Sequence, residues 1–198
     1  MALIEKAYAK LHGSYEGIEG GMPIEAMVDL TGGLAERYEL KHSSTHKTLY
    51  KYLRKSFASQ VKDYRMKDVI VSLLCINCQA FITCSRKGDW RHSRHADKNG
   101  LVQGHAYTIT GLYRVSLDTE DGERVCLVRV RNPWGDKNEW RGSWSDGDKA
   151  WDMVSNEVKK EMGLHYMHDG EFWIEFFTDF CREFEVSLEA EKCCPYSY

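Results

Sequence analysis

Gly104-His105-Ala106-Tyr107 and, 27 residues after the histidine, Asn132-Pro133-Trp134-Gly135 contain the side chains in this sequence best suited to chemistry. An imidazole whose second ring nitrogen is held by an asparagine amide oxygen is a general base with a fixed tautomer, suited to taking the proton of a thiol. Gly104 permits close backbone approach beside the histidine, and Trp134 can shield a His–Asn hydrogen bond from water. The pair requires a reactive cysteine as its third member.

The elements that must bring the two together are β-strands. Residues 106–117 and 125–131 are rich in β-formers and are separated by Asp118-Thr119-Glu120-Asp121-Gly122-Glu123, a turn-forming cluster. They read as an antiparallel hairpin with His105 before its first arm and Asn132 after its second. Counted from the turn the arms are unequal, an offset of about 10 Å at roughly 3.3 Å per residue. A β-bulge is expected to absorb it, with Gly111 the natural place.

Around the hairpin, residues 2–12 put Leu3, Ala7, Tyr8 and Leu11 on one helical face, and Gly13 stops the helix. Gly20-Gly21 and Gly32-Gly33 bracket a second short helix over residues 25–30. A short strand over 37–40, a basic helix over 46–60 and a buried strand over 69–75 are expected next, then a polar surface loop over 85–100. An acidic aromatic loop over 140–151, a helix over 152–162 and a strand over 171–177 follow. Helices mixed with antiparallel strands, without a βαβ rhythm, give an α+β domain.

The length of 198 residues and 42% hydrophobic content support a sizeable core. Neither a signal peptide nor a membrane-spanning run is present in the sequence, which points to the cytoplasm and to reduced thiols for its seven cysteines. Residues 41–100 carry 13 Lys/Arg against 4 Asp/Glu, while residues 133–198 carry 7 against 15. Without interleaved exposed aromatics or a known motif, the basic stretch reads as a solvated helix face rather than a nucleic-acid surface.

No cysteine sits where a nucleophile should. Cys75 and Cys78 fall in or beside the apolar strand, Cys84 just beyond it, Cys126 inside the hairpin, Cys181 in a late helix and Cys193-Cys194 in the tail. Such cysteines are expected to be inert packing. Cys75-x-x-Cys78 with His92-x-x-His95 resembles a zinc pattern, but its histidine spacing is one residue short. Glu139, Asp146, Asp169 and Glu171 offer oxygen ligands in two separate segments, which excludes an EF-hand; by composition alone they read as a solvated face.

These strings together resemble the calpains, calcium-dependent papain-like cysteine proteases. The resemblance is carried by Gly-His-Ala-Tyr at 104–107, Arg-Val-Arg-Asn-Pro-Trp-Gly at 129–135 and Asp-Gly-Glu-Phe-Trp at 169–173. Ile4-Glu5-Lys6-Ala7-Tyr8-Ala9-Lys10 and Thr31-Gly32-Gly33 complete it in calpain order. It implies a papain-like α+β fold, His105 as base, Asn132 as its orienter and Trp134 as the shield. It further implies that Gly21 and Gly104 contact a substrate chain through their backbones. One Ca²⁺ would be held by Glu139, Asp146, the Met167 carbonyl, Asp169 and Glu171. By the same resemblance residues 1–33 are the end of a first catalytic lobe, 34–185 the second lobe, and 186–198 a tail leading to a missing domain.

The calpain nucleophile lies in a Gly-Asp-Cys-Trp string that these residues lack. The expected function is therefore half of a calcium-dependent endopeptidase: a fragment, inactive alone, that acts on protein or peptide substrates once joined to a first lobe bearing the cysteine. The alternatives are a non-catalytic calpain-like module that binds partners when calcium is present, and a stand-alone hydrolase using one of the seven cysteines.

Overall fold

A computed structural model describes residues 2–57, 81–88 and 95–190. The expected strand at 69–75, together with Cys75, Cys78, His92, Cys193 and Cys194, lies outside the described residues.

The chain opens with helix α1, Ala2–Leu11, a 3-10 turn at Glu16–Ile18 and helix α2, Pro23–Thr31. Pro23 starts α2, where its missing N–H costs nothing, and Gly32 ends it in the left-handed region at φ 70°. Tyr8 Oη donates to Asp29 at 3.0 Å, and His12 Nε2 lies 3.2 Å from the same carboxylate, tying the helices together. Leu3, Ile4 and Leu11 of α1 are exposed; only Ala9 is buried there.

Among the described residues, six antiparallel strands form one sheet in the order β1-β6-β2-β3-β4-β5. They are β1 Leu34–Tyr38, β2 Phe81–Arg86, β3 Ala106–Ser116, β4 Arg124–Arg131, β5 Glu171–Glu175 and β6 Phe184–Ala190. Helix α3, Ser43–Ser56, packs Leu49 and Leu53 into the core. β1 begins three residues before the expected strand, and β6 continues the sheet through residues 186–190, past the boundary drawn from the sequence at 185. Residues 81–86, expected partly as loop, form a central strand.

The hairpin carries the expected irregularity. Ile109 pairs with Val130 and Gly111 with Arg129, leaving Thr110 as the extra residue. Side chains alternate faces along a strand, so one extra residue inverts the parity. Tyr107 and Ile109 before the bulge and Leu112 after it accordingly enter the same core, which they share with Val128, Val130, Phe172, Phe180 and Phe184. The opposite face packs Val115, Leu127 and Trp173 against Trp144, Trp151, Val154 and Met162.

The expected helix at 152–162 is interrupted. A 3-10 turn, Lys149–Met153, is capped by Asp148, and a separate helix, Asn156–Glu161, is capped by Ser155. The Ser155 cap satisfies the Val158 amide, which a continuous helix would have paired internally. After β5 the chain winds through a π turn, Phe176–Phe180, and a short helix, Cys181–Glu183, before entering β6.

Candidate active site

His105 precedes β3 and Asn132 follows β4, at the same end of the sheet. Their side chains meet: His105 Nε2 lies 2.9 Å from Asn132 Oδ1. The Trp134 amide also donates to Oδ1, at 3.1 Å, and Asn132 Nδ2 donates to the Asn138 carbonyl at 3.2 Å. These contacts fix the orientation of the amide group, and with it the histidine tautomer. Oδ1 can only accept, so Nε2 carries the proton and Nδ1 is left as the basic nitrogen. Among the described residues Nδ1 has no hydrogen-bond partner.

Asn132 is fully buried, and Trp134 lies against His105 with ring centroids 4.5 Å apart while its own surface remains 43% exposed. Burial lowers the His105 pKa below its usual value; the Asn132 hydrogen bond and the Asp136 charge oppose that shift. An isolated imidazole here therefore favours its neutral, basic form.

Backbone pairing holds the histidine segment. The Gly104 amide donates to the Arg86 carbonyl at 3.1 Å, and the Arg86 amide to the His105 carbonyl at 3.0 Å. Gly104 adopts φ 61°, a left-handed conformation that glycine favours. The Arg86 guanidinium reaches the Asp97 carboxylate at 3.1 Å and that of Glu183 at 2.6 Å. Asp97 also accepts from the Asn99 and Leu101 amides, which orders the loop leading to His105. Gly21 lies elsewhere in the chain, exposed, between the 3-10 turn and α2.

Sequence reasoning missed Asp136 and Asn138. Asp136 accepts from both the backbone and side-chain nitrogens of Asn138, so the Asn138 carbonyl is fixed where Asn132 Nδ2 meets it. The signal was present: Asp-x-Asn just after Gly135 is the composition of an Asx turn. Arg86, Asp97 and Glu183 had no such signature, because their partners are distant in sequence.

The described cysteines do not approach this chemistry. Cys84, Cys126 and Cys181 are buried free thiols. Burial pushes the Cys84 and Cys126 thiols up and raises Cys181 to about 12, opposing thiolate formation. His95 is exposed.

The acidic residues fall into two connected groups. Glu139 is buried and Asp146 partly buried beside an open hollow of about 380 Å³. Burial raises Asp146 to about 6, with the Glu139 charge the next cause and Asp169 a smaller one. Asp169, Glu171 and His165 form the second group, their ligand atoms within 4.8 Å of one another. Burial pushes the Asp169 carboxyl up, but the Glu171 amide and His165 more than offset it, and its pKa is lowered. Glu171 is already engaged, accepting from Thr110 Oγ1 at 3.0 Å and lying 3.7 Å from Arg129. Met167 meets Asp146 through its amide N–H, at 3.2 Å. A group of carboxylates in which Asp146 is driven toward protonation first by burial and then by the Glu139 charge has the oxygen donors that suit a hard divalent cation.

Comparison with known proteins identifies the family. The pattern defining the calpain family of cysteine proteases matches residues 1–190, and the chain belongs to that family, with its papain-like α+β fold. Its relatives include calpain clp-1 of Caenorhabditis elegans, 41% identical over 93% of this chain and 20% of that protein. Calpain-A of Drosophila melanogaster is 37% identical over 93% of this chain and 20% of its own length. Human calpain-9 is 40% identical over 98% of this chain and 24% of its own. The chain thus spans about a fifth to a quarter of the length of the curated relatives it matches.

Proposed function

We propose that this chain supplies the base-and-orienter half of a calcium-dependent cysteine endopeptidase, with a first lobe bearing the cysteine completing the site. The observation that carries the reading is the 2.9 Å contact between His105 Nε2 and a fully buried Asn132 whose remaining bonds fix its orientation. Nδ1 of His105 accepts the thiol proton, and the thiolate attacks the scissile carbonyl carbon of a protein or peptide substrate. The imidazolium then returns that proton to the departing amine, leaving an acyl-enzyme thioester; His105 next takes a proton from water, whose oxygen attacks the thioester and regenerates the thiol. Asn132 holds the ring through both transfers, and Trp134 limits water at their hydrogen bond. The backbones of Gly21 and Gly104 are the proposed contacts for an extended substrate.

Glu139, Asp146, Asp169 and Glu171, with the Met167 backbone, are the residues that would hold Ca²⁺; the ion supplies positive charge that offsets the carboxylates and stabilises their loops. Among the described residues no helix is long and apolar enough to cross a membrane, and the cytoplasm is the proposed location. The test is complementation. This chain, mixed with a separately expressed calpain first lobe carrying Gly-Asp-Cys-Trp, is expected to hydrolyse a peptide substrate in calcium, whereas neither piece does so alone. Hydrolysis by this chain alone, lost on Cys126→Ala or Cys75→Ala, would replace the half-site reading.

A further inference from the structure

One glycine touches both the orienter and the acidic group, through the two peptide groups that flank its Cα. The Gly170 carbonyl accepts from the Asn132 amide at 2.8 Å, and the Gly170 amide donates to Glu139 Oε1 at 2.8 Å. All three residues are buried. We propose that Gly170 is a positioning residue for the His105–Asn132 pair, joining the Glu139 carboxylate to the backbone of Asn132 so that a change at Glu139 is felt at the histidine.

Position 170 accepts little besides glycine. Its φ is 86°, and an added Cβ would sit 2.7 Å from the Asn132 carbonyl oxygen and 3.2 Å from Gly135 Cα. The obstructing atoms are backbone, so relief must come from moving the turn that carries Asn132. The link is closed from the other side as well, because Asn132 Nδ2 bonds the carbonyl of Asn138, the residue preceding Glu139. Asn132 is consequently gripped by its backbone and its side chain, and both grips lead to Glu139.

This inference takes His105–Asn132 as the working pair, but its test requires neither catalysis nor metal. In the full chain without calcium, NMR would follow the Asn132 side-chain amide and the His105 ring across pH in wild type, Glu139→Gln, Gly170→Ala and the double variant. Each single substitution is expected to shift both signals, moving the His105 midpoint by roughly half a pH unit, as for a hydrogen bond distorted rather than broken. The double variant is expected to shift by clearly less than the sum of the two single shifts, since both substitutions act on the shared Gly170 link. A charge effect through space would survive in Gly170→Ala, and summed effects would overturn the proposal. If Gly170→Ala lacks a dispersed spectrum, Glu139→Gln decides: unmoved Asn132 and His105 signals overturn it. A calcium titration of the wild-type chain, with binding measured separately by calorimetry, distinguishes failure of this link from failure of the metal reading.

Discussion

Asn132→Ala removes three hydrogen bonds at once: those from His105 and the Trp134 amide to Oδ1, and that from Nδ2 to the Asn138 carbonyl. At about 1 kcal/mol net for each, the loss is about 3 kcal/mol, a large share of the roughly 5–15 kcal/mol that stabilises a typical domain. The expected fall in Tm is roughly 6–12 °C for a chain of this size. Asn132 is also the first of the two influences that oppose the burial-driven lowering of the His105 pKa. Its removal should push that pKa further down. Because the folded pKa already lies below the unfolded value, the folded state binds fewer protons between the two. His105 therefore contributes stability above pH ~6.5 that is lost as pH falls through the folded pKa, and the variant carries this window lower. Thermal unfolding and an NMR titration of His105 check both effects. A loss under about 1 kcal/mol with an unmoved His105 titration would refute the reasoning, since the three bonds could not then be holding the ring.

Other expectations follow from the same contacts. Asp146→Asn removes a carboxyl raised to about 6. Such a group favours folding below its unfolded pKa and loses that contribution as pH rises toward 6, so the variant should be slightly more stable than wild type at pH 7, by ~0.5–1 kcal/mol in this half-exposed site, while losing calorimetric calcium binding. Arg86→Met leaves the Asp97 and Glu183 carboxylates without their shared cation, and denaturant unfolding should show a loss of about 3–5 kcal/mol. Phe184 stacks on Phe180 at 5.0 Å and meets Tyr107 edge-on at 5.4 Å; Phe184→Ala should cost about 3–5 kcal/mol in the same assay.

The parts of the fold legible in sequence were those with local signatures. The turn cluster at 118–123 announced the hairpin, and the mismatch of its arms called for a bulge, which falls beside Gly111 at Thr110. The glycine-bounded helices were likewise readable from spacing. β6 was not assigned, although Phe184, Val186, Leu188 and Ala190 alternate with polar residues, because its partners β1 and β2 lie some hundred or more residues away and no short-range signal indicates that pairing. At the candidate site the His–Asn pair was visible because types and order specify the chemistry. Gly170 was hidden because its role rests on a backbone peptide, whose contacts a side-chain pattern does not display. The acidic residues drew notice in the sequence as potential oxygen ligands, but only the fold shows Glu171 engaged with Thr110 and Arg129 while Asp146 is crowded by Glu139.

The central claim is that His105, held by Asn132, is the base for a thiol on a partner lobe. The pH dependence of alkylation of that thiol, measured in the complemented protein with and without His105→Ala, tests it most directly. A thiolate reactive well below the ordinary cysteine pKa of about 8.5 is predicted with the native chain, reverting toward ordinary thiol behaviour in His105→Ala. The same alkylation profile in both would contradict the account.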